Sequence, residues 1–399
     1  MKKSKSSKWI AAVLAATLVL SLTACGGGSA ASSSASSAKS EAKSEATSEA
    51  KSEAKSEAKS EATSEASSEA ASGGEWTKPE LTFESTDEPF DPYSEDSITF
   101  EDMRSQLGAI PTTGALNLQG SVKAFEVEYW RTMRDGGYDV YQQMAQDAGR
   151  DITVETRGAA SEADESGQLS LVKDTVRKGC DAIMLSAISD ANCLPGIDDA
   201  HDAGILVYAV NSELAGCDKF IGPNAKNAGA TCAAYLAELM DHEGECAVVI
   251  GLPKSVVALN RTAGFVEYME ANEPNIKVVA QQNADWDRLK AKDLTTTWIQ
   301  QVPNLKAIWS NADCMVYGVV EAVQESDRKD IIVTSLDGES EALGLIREGT
   351  LQATLGQFPD LMGRIAAEVA TRQLAGQEMP RTVWTPTAII NAENIDSTS

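Results

Sequence analysis

The sequence predicts an α/β protein whose folded part consists of two doubly wound lobes with parallel sheets. From about Gly114 onward, short apolar runs alternate with amphipathic segments of helical length, a pattern typical of parallel strands joined by crossover helices. About nine such units occur, which is too many for one small sheet. The chain after the N-terminal region has about 290 residues, enough for two domains of ordinary size.

Residues 1–25 have the features of a lipoprotein signal peptide. A positive n-region contains Lys2, Lys3, Lys5 and Lys8, and the apolar stretch Trp9–Leu22 that follows is too short for a comfortable membrane span. The small residues before Cys25 resemble the lipobox of bacterial lipoproteins. That resemblance implies a diacylglyceryl thioether on Cys25, removal of the preceding peptide and stable anchoring by two or three acyl chains. The alternative is a cleaved secretory signal with an accidental cysteine.

Residues 26–75 form a low-complexity segment that we predict to be a disordered Ser/Glu/Ala/Lys tether. From Ser40 the motif Ser-Glu-Ala-Lys or Ser-Glu-Ala-Thr repeats every four residues. A helix would stack like charges at i,i+4, and no apolar residue larger than Ala is available for burial. Residues 76–113 are acidic and contain proline, and we expect a solvated lead-in there without a calcium site.

Composition excludes several classes of function. The net charge of -26 disfavours nucleic-acid binding and docking onto anionic lipid. The seven cysteines show no CxxC or Cys/His cluster, so no metal site and no cofactor are predicted. Cys193 and Cys217 both follow predicted strands of one lobe. They could form a disulfide; the alternative is that they are small buried thiols, since spacing alone does not show proximity.

The predicted secondary structure places polar side chains at the carboxyl ends of strands. The predicted strands are Ile152–Glu155, Ala182–Leu185, Ile205–Val210, Ala247–Gly251, Ile276–Ala280, Ala307–Trp309, Ile331–Ser335 and Ala353–Leu355. The predicted helices include Tyr129–Gly149, Ser161–Lys178, Ala225–Met240, Val257–Glu270 and Leu289–Val302. Open α/β sheets bind ligands beyond the carboxyl ends of their strands. The candidates at these ends are Ser186, Asn211, Arg261, Asp313, Asp337 and Gln357.

Three aromatic residues complete the candidate site. Tyr129, Trp130 and Trp286 lie at predicted helix starts, next to polar residues. Aromatic rings cover the C–H faces of a sugar, while carboxylate, amide and guanidinium groups pair with its hydroxyls. The combination indicates a polyhydroxylated ligand.

From about Ala115 to Asn391 the chain resembles the ribose-type family of periplasmic sugar-binding proteins. The stretches that carry the resemblance are EYWRTMRDGG, DAIMLSAISDAN, AGILVYAVN, NRTAGFVEYM, NADWDRLKA, NADCMVYG, VTSLDGESEAL and REGTLQATLGQFPDLMG. The resemblance implies two Rossmann-like lobes joined by three crossings, in the type 1 periplasmic binding fold, which close on a ligand. It also implies the substrate-binding subunit of an ABC importer.

The resemblance assigns roles to individual residues. Tyr129 and Trp130 match paired aromatics that stack on the sugar, and Trp286 matches a third. Arg261, Asp313, Asp337 and Gln357 match polar positions at the site or the hinge. The chain departs from the family at Asn211-Ser212 (Asp-Arg in relatives), Ser186 (Asn), Ala312 (Asn) and Val127-Glu128 (Asn-Pro). These departures imply a sugar-like ligand other than ribose.

Each assignment also has a structural alternative. The two tryptophans fit a core, Arg261 fits a solvated helix face, and Asp313 fits a helix N-cap. Asp337 before a glycine fits a turn, and Gln357 fits a hinge hydrogen bond without ligand contact.

The sequence therefore predicts an extracytoplasmic, lipid-anchored, monomeric sugar-binding protein that works with the membrane permease of an ABC importer. The first lobe is expected at 114–222 plus 358–386 and the second at 223–357 plus 387–399. A subunit that presents a sugar or signalling molecule to a membrane sensor is the alternative. Enzymatic activity is not expected, because His201 and His242 have no neighbouring nucleophile and no catalytic motif occurs.

Overall fold

The computed structural model describes residues 76–85, 91–93, 96–189 and 191–398. They belong to one compact unit, Ala71–Ser399. Cys25, the signal peptide and the tether lie outside the described residues, as does the last residue of the chain. Within the described ranges, no helix is both long enough and apolar enough to cross a membrane.

The described chain contains two β-sheets. The strands are β1 (Ser97–Thr99), β2 (Leu116–Ala124), β3 (Ile152–Ala159), β4 (Ala182–Leu185), β5 (Leu206–Val210), β6 (Lys219–Gly222), β7 (Gly244–Ile250), β8 (Ile276–Asn283), β9 (Leu305–Ser310), β10 (Ile332–Asp337), β11 (Ala353–Gly356), β12 (Thr382–Trp384) and β13 (Ala388–Asn391). The seven-stranded sheet has the order β1-β12-β6-β5-β4-β2-β3 and the six-stranded sheet the order β13-β11-β10-β9-β7-β8. Every neighbouring pair is parallel except β11 with β13.

Helices connect and cover the strands. They are α1 (Phe100–Leu107), α2 (Glu128–Thr132), α3 (Asp139–Asp147), α4 (Glu165–Lys178), α5 (Leu194–Asp202), α6 (Ala225–Leu239), α7 (Val256–Asn272), α8 (Arg288–Gln301), α9 (Asp313–Glu325), α10 (Ser340–Glu348), α11 (Pro359–Leu374) and α12 (Ile395–Thr398). The predicted fold class is confirmed, and each of the eight predicted strands overlaps an observed strand. The physical reason is simple: runs such as β5 are buried at every position, as expected for a parallel sheet covered on both faces.

The chain passes between the two sheets three times. It leaves the seven-stranded sheet after β6 and enters the six-stranded sheet. It returns to the seven-stranded sheet after β11, through α11, which packs on β5. It crosses to the six-stranded sheet again between β12 and β13. We call the part around the seven-stranded sheet the first lobe and the part around the six-stranded sheet the second lobe. The carboxyl ends of β2, β3 and β5 in the first lobe and of β7, β8, β9 and β10 in the second precede the loops that form the site.

The lead-in departs from expectation. We expected residues 76–113 to be solvated, but β1 extends the first sheet by pairing with β12. Helix α1 begins after Thr99, whose hydroxyl accepts from the Asp102 amide, and it buries Phe100 and Met103. Trp76, Leu81 and Phe83 also pack against the core of the first lobe. The acidic composition conceals these few apolar residues, which are sufficient to dock the segment.

The long helix predicted from Tyr129 is divided. A π-helical segment, Met133–Tyr138, separates α2 from α3 and brings Gly137 against Gly363 of α11. A Cβ on Gly137 would lie 2.9 Å from the Gly363 Cα, so both glycines are needed for this close approach. Single-turn π segments are common near functional sites. This one holds the turn that carries the aromatic pair.

The structure contains free cysteines at all six described positions. Cys193 and Cys217 are buried thiols rather than a disulfide, and burial raises the pKa of each to about 12. Of the two alternatives left open by spacing, the structure has the free buried thiols.

Candidate functional site

A cavity lies between the two lobes at the carboxyl ends of their strands. Its lining consists of Lys123, Val127, Tyr129, Trp130, Glu162, Asn211, Val257, Arg261, Trp286, Ala312, Cys314, Asp337 and Glu339. The empty space between them, including the open mouth, is about 460 Å³. A cleft at the carboxyl ends of parallel strands is the usual place for a small ligand in this kind of α/β fold.

Six of the nine predicted ligand-binding residues line this cavity. They are Tyr129, Trp130, Asn211, Arg261, Trp286 and Asp337. Ser186, Asp313 and Gln357 lie outside its lining. The chain thus brings together residues separated by up to two hundred positions, because both sheets direct their strand ends to the same cleft.

The aromatic pair forms the wall contributed by the first lobe. Tyr129 and Trp130 occupy the first turn of α2, with ring centroids 4.9 Å apart at 74°, and both are buried. The Trp130 indole donates to Glu162 Oε1 at 2.6 Å. The Tyr129 hydroxyl donates to Asn211 Oδ1 at 3.4 Å. These bonds fix the edges of the rings and leave apolar surface for a ligand.

Trp286 forms part of the opposite wall, and Gly251 makes room for it. A Cβ on Gly251 would lie 2.1 Å from the indole Cη2, so only glycine allows the ring this close to the backbone after β7. Asp285 and Trp286 both have left-handed backbone, with φ of 54° and 60°. Such backbone is unfavourable for residues with side chains and is often found at functional sites.

A buried ion pair supplies the main polar groups of the second lobe. Arg261 Nη1 lies 3.5 Å from Asp337 Oδ1 and donates to the Asn311 carbonyl at 2.9 Å. Asp337 also accepts from Gln357 Nε2 at 2.5 Å. Burial raises the pKa of Asp337 to about 6 although the Arg261 cation opposes the rise. Arg261 Nε and Gln357 Oε1 are buried without a hydrogen-bond partner.

Asp313 serves the architecture of the second lobe. Its Oδ1 accepts from the hydroxyls of Ser335, in β10, and Thr354, in β11. Its Oδ2 accepts from the amides of Gly338 and Glu339, each at 2.8 Å. The carboxylate therefore joins two strands to the loop before α10, and its acceptors face protein donors rather than the cavity.

Two other predicted residues also have protein partners. Ser186 is buried in the first lobe, with its hydroxyl 3.9 Å from the Met133 sulfur and its carbonyl accepting from Gln168 Nε2. Gln357 reaches the cavity only through Asp337. Gln357 is thus placed to orient Asp337, whereas the contacts of Ser186 are with residues outside the lining.

Seven lining residues were not predicted from the sequence. They are Lys123, Val127, Glu162, Val257, Ala312, Cys314 and Glu339. Glu162 follows β3 by three positions, so the strand-end rule applied to that strand would have found it. Lys123 lies inside β2, where no polar side chain was sought.

Burial raises the pKa of Glu339 to about 7, and the Tyr317 hydroxyl donates to this carboxyl at 2.7 Å.

Hydrogen bonds across the cleft hold the lobes together. The Ser340 amide, at the start of α10, donates to Glu128 of α2 at 3.2 Å, and the Ser340 hydroxyl donates to the same oxygen. Asn260 of α7 donates to Glu213 Oε2 at 3.2 Å. The other oxygen of Glu213 accepts from the hydroxyl of Tyr93, in the lead-in. Glu128 and Asn260 directly precede the lining residues Tyr129 and Arg261, so these contacts between lobes lie next to the cavity in the chain.

The arrangement is suited to binding a small polar molecule. Burial raises the pKa of the Cys314 thiol well above its usual value, so the thiol stays protonated and is a poor nucleophile. His201 and His242 are absent from the lining. Among the described residues, no group of three His, Cys, Asp or Glu side chains is arranged to hold a metal ion.

Comparisons with known proteins agree with this geometry. The family model described as "periplasmic binding protein domain" matches residues 121–378. The ribose import binding protein of Bacillus subtilis is 28% identical over 225 residues, which cover 56% of this chain and 72% of that protein. The D-ribose/D-allose-binding protein of Pseudomonas aeruginosa is 26% identical over 68% of this chain and 87% of its own length.

Solved structures show the same fold. A periplasmic solute-binding protein from Actinobacillus succinogenes with bound D-allose superposes with a TM-score of 0.64 at 26% identity, covering 70% of this chain and 99% of that one. A sugar-binding protein of a sugar ABC transporter from Bacillus halodurans gives 0.63 at 29% identity, covering 71% and 99%.

Replacing Gly251 tests the aromatic wall. We expect Gly251→Ala to displace the Trp286 indole, to change the intrinsic tryptophan fluorescence and to lower the free energy of unfolding by about 1–3 kcal/mol, the usual cost of overpacking. Gly344→Ala, in α10 with open space around its Cα, is the control and should be neutral or stabilising. Unchanged fluorescence in Gly251→Ala would contradict the packing described.

Proposed function

The chain belongs to the family of periplasmic binding protein domains, and on that premise we propose that it is the solute-binding subunit of an ABC importer and binds a monosaccharide or related sugar between its lobes. The observation that carries the proposal is the cavity itself, with Tyr129 and Trp130 on one wall and Trp286 on the other. Aromatic rings on both walls match the flat C–H faces of a sugar ring. The named relatives bind ribose and allose, which supports this class of ligand.

The polar groups of the cavity support recognition of hydroxyls. Asn211 and Glu162 in the first lobe, with Arg261 and Asp337 in the second, offer both donors and acceptors. A wrong epimer would leave one of these buried groups unpaired, which costs about 1–3 kcal/mol. Asn211-Ser212, Ser186 and Ala312 replace residues of the ribose-type pattern, and we infer a sugar other than ribose.

Closure of the lobes provides the signal that the site is occupied. A ligand that contacts both walls stabilises the closed arrangement through its differential contacts with that form. The hydrogen bonds from Ser340 to Glu128 and from Asn260 to Glu213 add to closure without touching the cavity. The closed surface then docks on a membrane permease and delivers the sugar.

A sensory role is the second candidate. A subunit that binds a sugar or signalling molecule and presents its closed form to a membrane sensor would need the same cavity. Co-purification distinguishes the two functions: recovery of permease subunits supports import, and recovery of a sensor kinase or chemoreceptor would replace import by sensing.

We further propose that Cys25 carries the lipid anchor and that residues 26–75 act as a tether. The protein would then be held at the outer face of the cell membrane, with a span of chain long enough for the lobes to reach a membrane partner. The acidic chain has little electrostatic attraction to anionic lipid, so acyl chains are the anchor that the composition allows.

The sugar proposal predicts ligand-dependent stability and fluorescence. Against D-ribose, D-allose, D-arabinose, xylitol and myo-inositol, we expect at least one compound to shift the melting temperature and the tryptophan emission, because a ligand at a hundred times its Kd adds about 2.7 kcal/mol of stability. Arg261→Ala combined with Trp286→Ala should abolish the shift while the protein stays folded. Arg347→Ala, on the exposed face of α10, is the control. No response to this panel or to a wider set of mono- and oligosaccharides would refute the sugar class.

The closure hypothesis predicts an effect from a residue that the ligand does not touch. Asn260→Ala removes the bond to Glu213, and we expect the affinity for the best sugar to fall roughly threefold to tenfold because the closed form loses one interlobe hydrogen bond. Asn272→Ala removes an exposed amide from the same helix and should leave affinity unchanged. Equal affinities for both variants would argue against this contact as part of closure. Isothermal titration calorimetry measures the difference.

The anchor is tested by Cys25→Ser. We expect this variant to lose incorporation of labelled fatty acid and to move from the membrane fraction to the medium or periplasm, since no thiol remains for acylation. Continued acylation or membrane retention of the serine variant would place the anchor elsewhere.

A further inference from the structure

Tyr93, in the lead-in, contacts both lobes, although neither the strand-end rule nor the family resemblance selected it. Its ring stacks on that of Trp384, the last residue of β12, with the ring centroids 5.7 Å apart at 29°. Phe220 of β6 packs edge-on against the same indole. The central strands of the first lobe therefore fix the position of the Tyr93 ring.

The hydroxyl end of Tyr93 faces the second lobe. Tyr93 lines a groove whose other lining residues all belong to α6, to its N-cap or to α7. Burial and the Glu213 carboxylate raise the pKa of the Tyr93 hydroxyl, while the backbone amide of Lys226, in the first turn of α6, opposes the rise. The hydroxyl thus stays protonated and lies at the boundary between the lobes.

Glu213 connects Tyr93 to the second lobe. The Tyr93 hydroxyl donates to Glu213 Oε1 and the Asn260 amide to Oε2, each at 3.2 Å. Glu213 is buried, and a buried carboxylate must be hydrogen-bonded or it is costly. Among the described residues, its two side-chain donors come from the lead-in and from α7, although Glu213 itself belongs to the first lobe.

The two donors differ in what happens when the lobes separate. Asn260 moves away with the second lobe, whereas Tyr93 stays with the first lobe through its stacking on Trp384. Tyr93 then holds one oxygen of Glu213 and keeps the other turned toward Asn260. Because Asn260 directly precedes the cavity residue Arg261, the bond that it makes on closure also locates the turn of α7 that carries Arg261.

We propose that Tyr93 is a positioning residue for closure: it orients Glu213 to accept from Asn260, and its ring lies against α6 and α7 in the closed form. This inference rests on the proposed function and deepens it, because it adds a residue outside the cavity to those that determine the affinity for the sugar. The lead-in is then part of the closing mechanism as well as the connection to the segment before it.

Tyr93→Phe tests the hydroxyl. For the best-binding sugar of the panel above, we expect the affinity to fall roughly threefold to tenfold, because Glu213 loses the donor that orients it. Tyr93→Ala removes the ring as well and should lower the affinity further. Tyr141→Phe is the matched control: it removes a hydroxyl bond to Thr371 within the first lobe, so it should lower the melting temperature and bind like wild type.

A double-mutant cycle separates positioning from a general loss of packing. If Tyr93 acts through Glu213 on Asn260, then Tyr93→Phe should weaken binding by less than about twofold in the Asn260→Ala background. Full additivity of the two losses, or an unchanged affinity in Tyr93→Phe, would overturn the proposal. Failure of wild type to bind any sugar would instead refute the proposed function.

Hydrogen exchange at the start of α6 gives a second readout. The sugar should slow exchange of these amides in wild type, because closure brings the Tyr93 ring against them, and it should do so less in Tyr93→Ala. The same protection by the sugar in both proteins, each saturated with ligand, would show that the ring does not lie there in the closed form and would overturn the proposal.

Discussion

The second lobe depends on one constraint: a buried carboxylate must be paired or fully hydrogen-bonded. Asp313 meets this requirement through the hydroxyls of Ser335 and Thr354 and the amides that begin the loop before α10. The Asp313 amide in turn donates to Asp337 Oδ2 at 3.2 Å. Asp337 is thereby fixed at the cavity, where it also forms an ion pair with Arg261 and accepts a hydrogen bond from Gln357. One carboxylate outside the cavity lining thus orients the carboxylate that lines the site.

The first lobe also holds its cavity-lining residues in place, but it does so mainly through apolar packing. The short turn of α2 presents Tyr129 and Trp130, and the π-helical segment behind it packs closely on α11 through glycines. Hydrogen bonds to Asn211 and Glu162 hold the ring edges. One wall is therefore rigid through packing and the other through a polar network. A polyhydroxylated ring, with apolar faces and a polar rim, is complementary to both.

The lead-in connects the folded lobes to the segment before them. Its aromatic residues pack on the first lobe, and Tyr93 stacks on Trp384 while donating to Glu213. Glu213 also accepts from Asn260 of the second lobe, so the lead-in contacts a residue that joins the lobes. The acidic composition of the lead-in suggested solvation because charged residues dominate the average polarity of the segment. A few apolar side chains at the right spacing were enough to decide docking, and spacing within an irregular segment has no period by which it can be recognised.

The sequence by itself determined the class of the fold, the three aromatic residues of the cavity lining and two of its five charged residues. Alternation of buried runs with amphipathic segments identifies parallel sheets, and the rule that ligands bind at strand ends selected Asn211, Arg261 and Asp337. Only the tertiary structure decided which polar side chains face the cavity. Asp313 and Lys123 both lie near strand ends, yet Asp313 turns to protein donors and Lys123 lines the cleft. The reason is that the direction of a side chain depends on partners supplied by distant segments, and local sequence does not specify those partners.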